Sequence, residues 1–209
     1  MVFGHGVSEW HRAVEVGQGT GKYTRLVLEA SSCEVLCCDV SQTFLDLCAQ
    51  RLQAHASRLH LACIEGRDPD AIRGAADQQG WLGSADAVYS IDALVHLPFT
   101  TVANTMLAAT EVLREGGRFI TSFAHGLTEA GFAKLVGDID RTMRAGGHPE
   151  TGCFHWISPE LIRTTATRMG YEGDVCDADP AHHRDGHFVA RLVDPELAKR
   201  ARGLRQPNA

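Results

Sequence analysis

Short apolar segments alternate with amphipathic segments along this chain, and that alternation limits the possible folds more than any other feature. Five apolar segments have the length of buried strands: residues 12–17, 33–40, 58–66, 85–91 and 117–124. The segments between them are predicted to be helices, at 20–30, at 41–52, within 67–83 and at 99–114. Such repeated alternation predicts a parallel sheet with helices on both faces.

The last third of the chain adds three helices and a hairpin. Helices are predicted around 132–143, from Ser158 to Gly170, and in the tail from Pro195 to Arg202; strands are predicted near 172–177 and 186–193. Helical spacing also predicts which side chains face the sheet. In the first helix we expect Tyr23, Leu26 and Val27 inside, and in the second Phe44, Leu45, Cys48 and Leu52.

Composition indicates one globular domain over residues 1–209, with a short segment at 1–11 and a tail at 194–209. Hydrophobic residues make up 44% of the chain and charged residues 22%, as in ordinary globular proteins. The formal net charge is −6, with acids and bases interspersed. Because binding to a nucleic-acid backbone needs clustered Lys and Arg, this balance disfavours nucleic acid as the partner.

Targeting features and cysteine usage predict a soluble, cytoplasmic protein. The first residues lack the basic and apolar regions of a signal peptide, and no apolar run approaches the roughly 18 residues of a membrane span. The seven cysteines include no C-x-x-C pair, and five lie in apolar segments. We therefore expect free buried thiols and a reducing compartment.

A glycine-rich loop, VEVGQGTGKYT at 14–24, follows the first predicted strand. Parallel sheets bind ligands at the carboxyl ends of their strands, so this loop is in the expected position. A triphosphate loop needs Lys followed by Ser or Thr, but Tyr23 follows Lys22. A dinucleotide loop needs a third glycine at position 22, which is Lys22. Glu15, expected at the mouth of the site, disfavours a pyrophosphate and favours a cationic ligand.

Six segments, in chain order, resemble motifs of the class I S-adenosylmethionine-dependent methyltransferases, in their small-molecule branch. They are EVGQGTG (15–21), CCDVS (37–41), IEGRD (64–68), ADAVYSIDALVHLP (85–98), LREGGRFITSF (113–123) and FHWISPELIRTTATRMGY (154–171). The resemblance implies a three-layer α/β sandwich with a seven-stranded, mostly parallel sheet whose last strand is antiparallel.

The resemblance also implies where S-adenosylmethionine is held. Its amino-acid end is expected at Glu15 and the loop glycines, and its ribose at Asp39, about 20 residues further along. The expected cofactor residues are Glu15, Gly17, Gln18, Gly19, Gly21, Asp39, Val40, Gly66, Asp68, Ser90 and Ile91. Two residues depart from the family pattern: Gln18 stands where Cys is frequent, and Arg67 stands where an acid often meets the adenine, a contact that Asp68 could make instead.

The family usually places lid helices before the first strand. This chain offers only about ten residues there. The site is therefore expected to be more open, or to be closed by residues 125–157 or by a neighbouring subunit. A homodimer is one arrangement that the sequence leaves open.

Histidines near the ends of the fourth and fifth strands are candidates for the chemistry. Methyl transfer requires alignment of the acceptor, and a hydroxyl acceptor must also lose a proton, for which histidine suits neutral pH. His96, with Asp92 one helical turn earlier, is the first candidate base, and His125 is the second. His155 and Trp156 are expected to contact the acceptor. For each of them, a packing role is the alternative.

No metal site is predicted. The segment HHRDGH, with His182, His183, Asp185 and His187, has enough ligands, but it falls in a predicted hairpin turn where polar residues are common. Some O-methyltransferases of this fold use magnesium. Asp92, His96 and His125 could contribute to such a site, but no group of carboxylates supports it.

Three functions remain to be distinguished. The favoured one is methylation of a small molecule, at a hydroxyl oxygen of a sugar, another polyhydroxyl compound or a phenol, with nitrogen or carbon acceptors as alternatives. The second is a regulatory module that binds S-adenosylmethionine or a nucleoside without catalysis. An NAD-dependent enzyme comes third, because the glycine spacing opposes it.

Overall fold

A seven-stranded sheet organises the residues described by the computed structural model, which are 6–144, 154–176 and 185–205. The strand order is β3-β2-β1-β4-β5-β7-β6. The strands are β1 (Arg12–Val16), β2 (Glu34–Asp39), β3 (Leu59–Cys63), β4 (Ala85–Ser90), β5 (Leu113–Ala124), β6 (Tyr171–Cys176) and β7 (Asp185–Leu192).

Strands β1 to β5 are parallel, and β7 runs antiparallel to both β5 and β6. This confirms the predicted mostly parallel sheet with an antiparallel last strand. The strand order reverses at β1, which pairs with β2 on one side and β4 on the other. In open sheets of this kind ligands bind at the carboxyl ends of the strands beside such a reversal. The glycine loop after β1 therefore lies where a ligand is expected.

Seven α-helices flank the sheet in the described part of the chain. They are α1 (Lys22–Ala30), α2 (Gln42–Arg51), α3 (Ala71–Gln78), α4 (Phe99–Val112), α5 (Glu129–Arg144), α6 (Pro159–Arg168) and α7 (Pro195–Gly203). The serines predicted to begin two of them do so. The Ser41 hydroxyl accepts the Phe44 N–H, and the Ser158 hydroxyl accepts the Leu161 N–H, which satisfies N–H groups that have no partner within the helix. No helix among the described residues is long and apolar enough to cross a membrane.

The core has two apolar layers, one on each face of the sheet. Alternate strand residues point to opposite faces, so Val14, Leu36 and Val88 contribute to one layer and Ala13, Val35 and Ala87 to the other. The first layer packs against α3, α4, α6 and α7, and the second against α1 and α2. This is the three-layer arrangement expected from the sequence.

The faces predicted for α1 and α2 were partly wrong. Helix α1 buries Thr24, Val27 and Leu28, whereas Leu26 is exposed. Thr24 faces the sheet because its hydroxyl donates a 2.5 Å hydrogen bond to the buried Glu15 carboxylate. In α2 the predicted Leu45 and Cys48 are buried, but Phe44 is exposed.

The buried carboxylate of Asp86 anchors the start of β1. Asp86, near the amino end of β4, accepts the backbone N–H groups of His11 (2.7 Å) and Arg12 (3.1 Å) and the Nε–H of Arg114 (2.7 Å). Its side chain is 8% exposed, whereas that of Arg114 is 54% exposed. The two backbone bonds are therefore sheltered, and the ion pair is largely solvated.

We predict that Asp86→Ala lowers the free energy of unfolding by about 2–3 kcal/mol, because it leaves two sheltered N–H groups without an acceptor. Arg114→Ala should cost less than about 1 kcal/mol, since a half-exposed ion pair contributes little. Urea unfolding of both variants measures the difference. Equal losses in the two variants would show that the ion pair, and not the backbone bonds, holds this end of the sheet.

Candidate active site

The glycine loop between β1 and α1 packs closely against the loop that follows β4. A Cβ atom at Gly17, whose φ is 73°, would overlap the Cβ of Ala93. Gly19, with a φ of 53°, has no neighbouring atom within 4 Å of the position that a Cβ would occupy. Gly17 is thus needed for contact between two loops, and Gly19 leaves open space at the carboxyl end of the sheet.

Asp39, at the carboxyl end of β2, lies directly beside this loop. One carboxylate oxygen accepts the Gly19 N–H at 3.3 Å and the other accepts the Ser41 N–H at 2.9 Å. The residue is 7% exposed, and the neighbouring Val40 is largely exposed. The structure therefore brings together the predicted cofactor residues of the first and second strands.

Gln18 contains a buried acceptor without a donor. Its amide N–H donates to the Gly19 carbonyl at 3.3 Å. Its Oε1 atom is buried and has no hydrogen-bond partner among the described residues. Because buried polar atoms are normally paired, this oxygen indicates a place for a donor from a bound molecule. An ammonium group, as S-adenosylmethionine carries, has the required chemistry.

Glu15 lies beneath the loop and not at the mouth. It is 1% exposed, and its Oε2 accepts hydrogen bonds from the hydroxyls of Thr24 (2.5 Å) and Tyr89 (2.9 Å). Burial raises the pKa of its carboxyl group to about 7, although the two hydrogen bonds lower it in part. The carboxyl group joins β1, α1 and β4, and it is poised to change charge near neutral pH.

The residues at the end of β4 connect the glycine loop to the rest of the site. Ser90 is fully buried, and its hydroxyl donates to the Val16 carbonyl at 2.8 Å; Ile91 is also buried. Asp92 has a φ of 60°, which is unusual for a residue other than glycine, and its N–H donates to the Ser122 hydroxyl at 2.8 Å. Strained backbone of this kind is concentrated at functional sites.

The Asp92 carboxylate accepts a hydrogen bond from the Tyr23 hydroxyl of α1 at 3.1 Å. It therefore faces the glycine loop and α1. The sequence predicted Asp92 as a neighbour of His96. It did not predict the hydrogen bond with Tyr23, because no spacing in the sequence relates these two residues.

The loop after β3 lies on the far side of β2. Gly66 is exposed, and a Cβ there would lie 3.0 Å from a methyl group of Val40. Asp68 is exposed, and its carboxylate accepts the Asp70 N–H at 2.9 Å. Of the predicted adenine-side residues, Gly66 thus lies near Val40, whereas the contact shown for Asp68 is with Asp70 of its own loop.

An aromatic wall, formed by Phe154 and Trp156, borders the other side of the site. The segment that carries it is docked on the sheet: the His155 N–H donates to the Val95 carbonyl (2.9 Å), and Trp156 forms a bridge with Ala124 at the end of β5. The two ring centroids are 5.9 Å apart, and the His96 ring lies 5.1 Å from that of Phe154. The three candidates His96, His155 and Trp156 therefore lie together.

His155 lies in an environment that disfavours its charged form. Burial, and secondly the charge of His96, lower the pKa of His155 from its ordinary value of 6.5. His155 is accordingly neutral at pH 7, whereas His96 is exposed to solvent.

His125 has a different environment. It is 5% exposed, its ring stacks on Phe123 at 5.6 Å, and its Nδ1 accepts the Leu127 N–H at 3.3 Å. In the neutral ring this bond leaves the proton on Nε2, so His125 is arranged as a donor. This favours His96 over His125 as the base.

Two residues at the site were missed by sequence reasoning. Phe154 packs between His96 and Trp156, and the Lys134 ammonium lies 5.1 Å from the Phe154 ring centroid. The aromatic run FHW was a sufficient signal for Phe154. Lys134 had none, because its approach depends on how α5 packs.

The described residues contain no group of three or more His, Cys, Asp and Glu that could hold a metal. Of the HHRDGH segment, Asp185 and His187 lie in β7, whereas His182 and His183 fall outside the described residues.

The buried Glu15 predicts a specific pH dependence of stability. Its folded pKa of about 7 lies above the ordinary 4.5, so the folded state holds this proton more tightly than the unfolded state. That contribution is complete below pH 4.5 and is lost as the pH rises through 7. In Glu15→Gln, which keeps an acceptor for Thr24 and Tyr89, the fall in unfolding free energy between pH 5 and 8 should shrink by about 2–3 kcal/mol. Urea unfolding at several pH values measures this; an unchanged fall would contradict the assignment.

Comparison with known proteins identifies the family. The profile of a family described as a methyltransferase domain matches residues 14–119, just over half of the chain. This match runs from within β1 to within β5, and it includes the glycine loop, Asp39 and the end of β4. A search among curated proteins finds no match.

Solved structures share the fold at low sequence identity. An O-methyltransferase family protein from Burkholderia thailandensis has a TM-score of 0.68 and 16% identity, over 93% of this chain and 55% of that one. The S-adenosylmethionine-dependent methyltransferase SibL has a TM-score of 0.67 and 14% sequence identity, over 92% of this chain and 53% of that one. The CurJ carbon methyltransferase has a TM-score of 0.61 and 16% sequence identity, over 88% of this chain and 49% of that one. This chain thus spans about half the length of each.

The family match and the shared fold agree with the site. The loop after β1, the acidic residue at the end of β2 and the unpaired Gln18 oxygen suit a cofactor that carries a ribose and an ammonium group. The chain belongs to the class I S-adenosylmethionine-dependent methyltransferases.

Proposed function

We propose that this protein methylates a hydroxyl oxygen of a small molecule that contains a sugar, another polyhydroxyl ring or a phenol. The observation that carries the proposal is the position of His96 and His155 against the wall of Phe154 and Trp156, beside the end of β4. Proteins named as a carbon methyltransferase and as an O-methyltransferase family member share this fold. The choice of oxygen therefore rests on the histidines.

On the cofactor side, Gly19, Gln18 and Asp39 would hold S-adenosylmethionine. Gly19 leaves room for close approach, Gln18 Oε1 accepts a donor, and the Asp39 carboxylate suits two ribose hydroxyls. When bound, the cofactor supplies a methyl group on a positively charged sulfur, which is already an activated leaving group. The remaining predicted contacts, at Val40, Gly66 and Asp68, would line the adenine.

On the acceptor side, the partly exposed Trp156 would orient a flat ring or the apolar face of a sugar, with the buried Phe154 packed behind it. His96 would accept the hydroxyl proton as the oxygen attacks, and the neutral His155 beside it adds no competing positive charge. The Tyr23–Asp92 hydrogen bond fixes the loop that carries His96. Alignment and exclusion of water would supply the rest of the rate acceleration.

The reaction is proposed to occur in the cytoplasm on a metabolite, not on nucleic acid. The cysteines Cys33, Cys37, Cys38 and Cys48 are buried as free thiols, which suits a reducing compartment. The net charge of −6 opposes binding to a phosphate backbone.

The direct test is incubation with S-adenosylmethionine labelled in its methyl group and a panel of sugars, polyols and phenols. We expect labelled product with at least one hydroxyl compound, and none after that hydroxyl is blocked. Labelling at carbon or nitrogen would show that the acceptor atom is not oxygen. Binding of the cofactor without turnover on a broad panel would favour the regulatory module, and methylation of tRNA, rRNA or DNA would contradict the substrate class.

The cofactor assignment predicts that Asp39→Ala weakens S-adenosylmethionine binding about 10-fold or more. Each charge-assisted hydrogen bond to the ribose is worth roughly 1.5–3 kcal/mol. Gly19→Val should also weaken binding, because its side chain fills the open space and its φ is positive. Equilibrium dialysis with labelled cofactor measures both. Unchanged affinity in both folded variants would overturn the assignment.

The base assignment predicts that His96→Ala lowers turnover by roughly 10²–10⁴-fold and leaves cofactor affinity unchanged. The rate of the parent should rise with pH as the base loses its proton, and this inflection should vanish in the variant. His11→Ala is the control, because this histidine is 86% exposed at the opposite end of β1.

Two rival bases give different results. If His155 were the base, its lowered pKa would place the inflection below 6.5, the ordinary value for histidine, and His155→Ala would abolish the inflection. If His125→Ala removed the inflection while His96→Ala kept it, the base would be His125. If no histidine mattered, the site would work by alignment alone.

A further inference from the structure

The buried carboxyl group of Glu15 has no positively charged partner among the described residues. Its Oε2 atom accepts the hydroxyls of Thr24 and Tyr89, and both donors are neutral. No described residue donates to Oε1, and no described Lys, Arg or His forms an ion pair with the group. Burial without a cation disfavours the charged form of a carboxyl group. In the absence of a cation the fold therefore favours the protonated acid.

A second acceptor without a donor lies three residues further along the chain. Gln18 Oε1 is buried and has no hydrogen-bond partner in the part of the chain that the structure describes. Glu15 belongs to β1 and Gln18 to the glycine loop that follows it. Two such acceptors in one short segment are suited to a ligand that brings a donor with a positive charge.

The Glu15 carboxyl group responds to charge at the cofactor side of the site. After burial, which is the larger cause, the charge of Asp39 also raises the pKa of Glu15. Asp39 lies on the neighbouring strand and accepts the Gly19 N–H of the glycine loop. A positive charge bound beside this loop acts on Glu15 over a comparable distance with the opposite sign. S-adenosylmethionine carries an ammonium and a sulfonium, and its demethylated product keeps the ammonium.

We propose that the cofactor binds with release of a proton from Glu15, so that affinity for the cofactor rises with pH while this carboxyl group titrates. The Glu15 O–H bond breaks on binding, and its proton passes to the solvent; the acid regains a proton when the ligand leaves. Linkage is reciprocal, so the bound cation stabilises the carboxylate as much as the carboxylate stabilises the bound cation. The proposal rests on the cofactor and is independent of the acceptor atom.

Four other ionisable groups face Glu15 from the elements packed against it. They are Cys37 and Asp39 of β2, Tyr89 of β4 and Cys48 of α2. Burial raises the pKa values of Cys37 and Tyr89 well above their ordinary values, so both groups stay neutral. Asp39 accepts N–H groups through both oxygens, as a carboxylate does. The pKa of Cys48 is lowered, chiefly by its hydrogen bond with Cys37, so this thiol is the rival source of a proton.

Isothermal titration calorimetry counts the released proton in the unmodified protein. S-adenosylhomocysteine is titrated at about pH 6.5 in two buffers of different ionisation enthalpy, and the difference in binding enthalpy gives the number of protons. We expect release of about half a proton or more per site, because a carboxyl group with a pKa of about 7 is mostly protonated there. The amino group of the ligand is already protonated at this pH. No release, net uptake, or no binding at all would overturn the proposal.

Glu15→Gln tests whether Glu15 is the source. Glutamine keeps an acceptor for Thr24 and Tyr89 but has no proton to release. Between about pH 5.5 and 7.5 the affinity of the parent for S-adenosylhomocysteine should rise about fivefold or more. The affinity of the variant should stay nearly constant over this range, with circular dichroism confirming that it folds. An equal rise in both proteins would contradict the proposal.

Two further variants separate Glu15 from other groups. Asp86→Asn is the matched control, because it removes another buried carboxyl group of the same sheet, near the amino end of β4 and away from the glycine loop. It should keep both the proton release and the rise in affinity. Cys48→Ser removes the rival thiol and should also keep both. If Cys48→Ser abolished the rise and Glu15→Gln retained it, the proton would come from the thiol, and the proposal would be wrong.

Discussion

The close approach of Ala93 to Gly17 is the contact on which the rest of this site depends. It joins the loop after β1 to the loop after β4, on the two strands where the sheet order reverses. Just beneath it the Ser90 hydroxyl holds the Val16 carbonyl, and three residues beyond Ala93 the chain reaches His96. The cofactor loop and the candidate base are therefore parts of one packed unit, and any side chain at Gly17 would separate them.

The two sides of this unit differ in chemical character. Towards β2 the polar groups are acceptors: the Asp39 carboxylate and the unpaired Gln18 oxygen, with Glu15 buried below. Towards β5 they are imidazoles against aromatic rings. This contrast supports the proposal that a cationic cofactor binds on the first side and a proton-releasing acceptor on the second. The buried Glu15 adds a constraint, because bringing a positive charge near it would favour its ionised form.

Much of this arrangement could be predicted from the sequence, since it depends on local pattern. Strand and helix order follow from periodicity, whereas the antiparallel last strand and the place of Asp39 beside the glycine loop were implied by the family resemblance. What the sequence did not reveal depends on long-range packing. Thr24 turns inward because Glu15 lies opposite. Helix α5 buries Gly131 and Asp138, whereas its apolar residues Phe132, Val136, Ile139 and Met143 are exposed. Periodicity locates an apolar face but does not say which partner covers it.

The crystal structure of the complex with S-adenosylhomocysteine, the demethylated product of the cofactor, tests the account most directly. The account predicts the ribose hydroxyls on Asp39, a ligand donor within hydrogen-bond distance of Gln18 Oε1, and the sulfur between the glycine loop and His96. A ligand bound elsewhere, or one whose sulfur points away from His96 and Trp156, would contradict it.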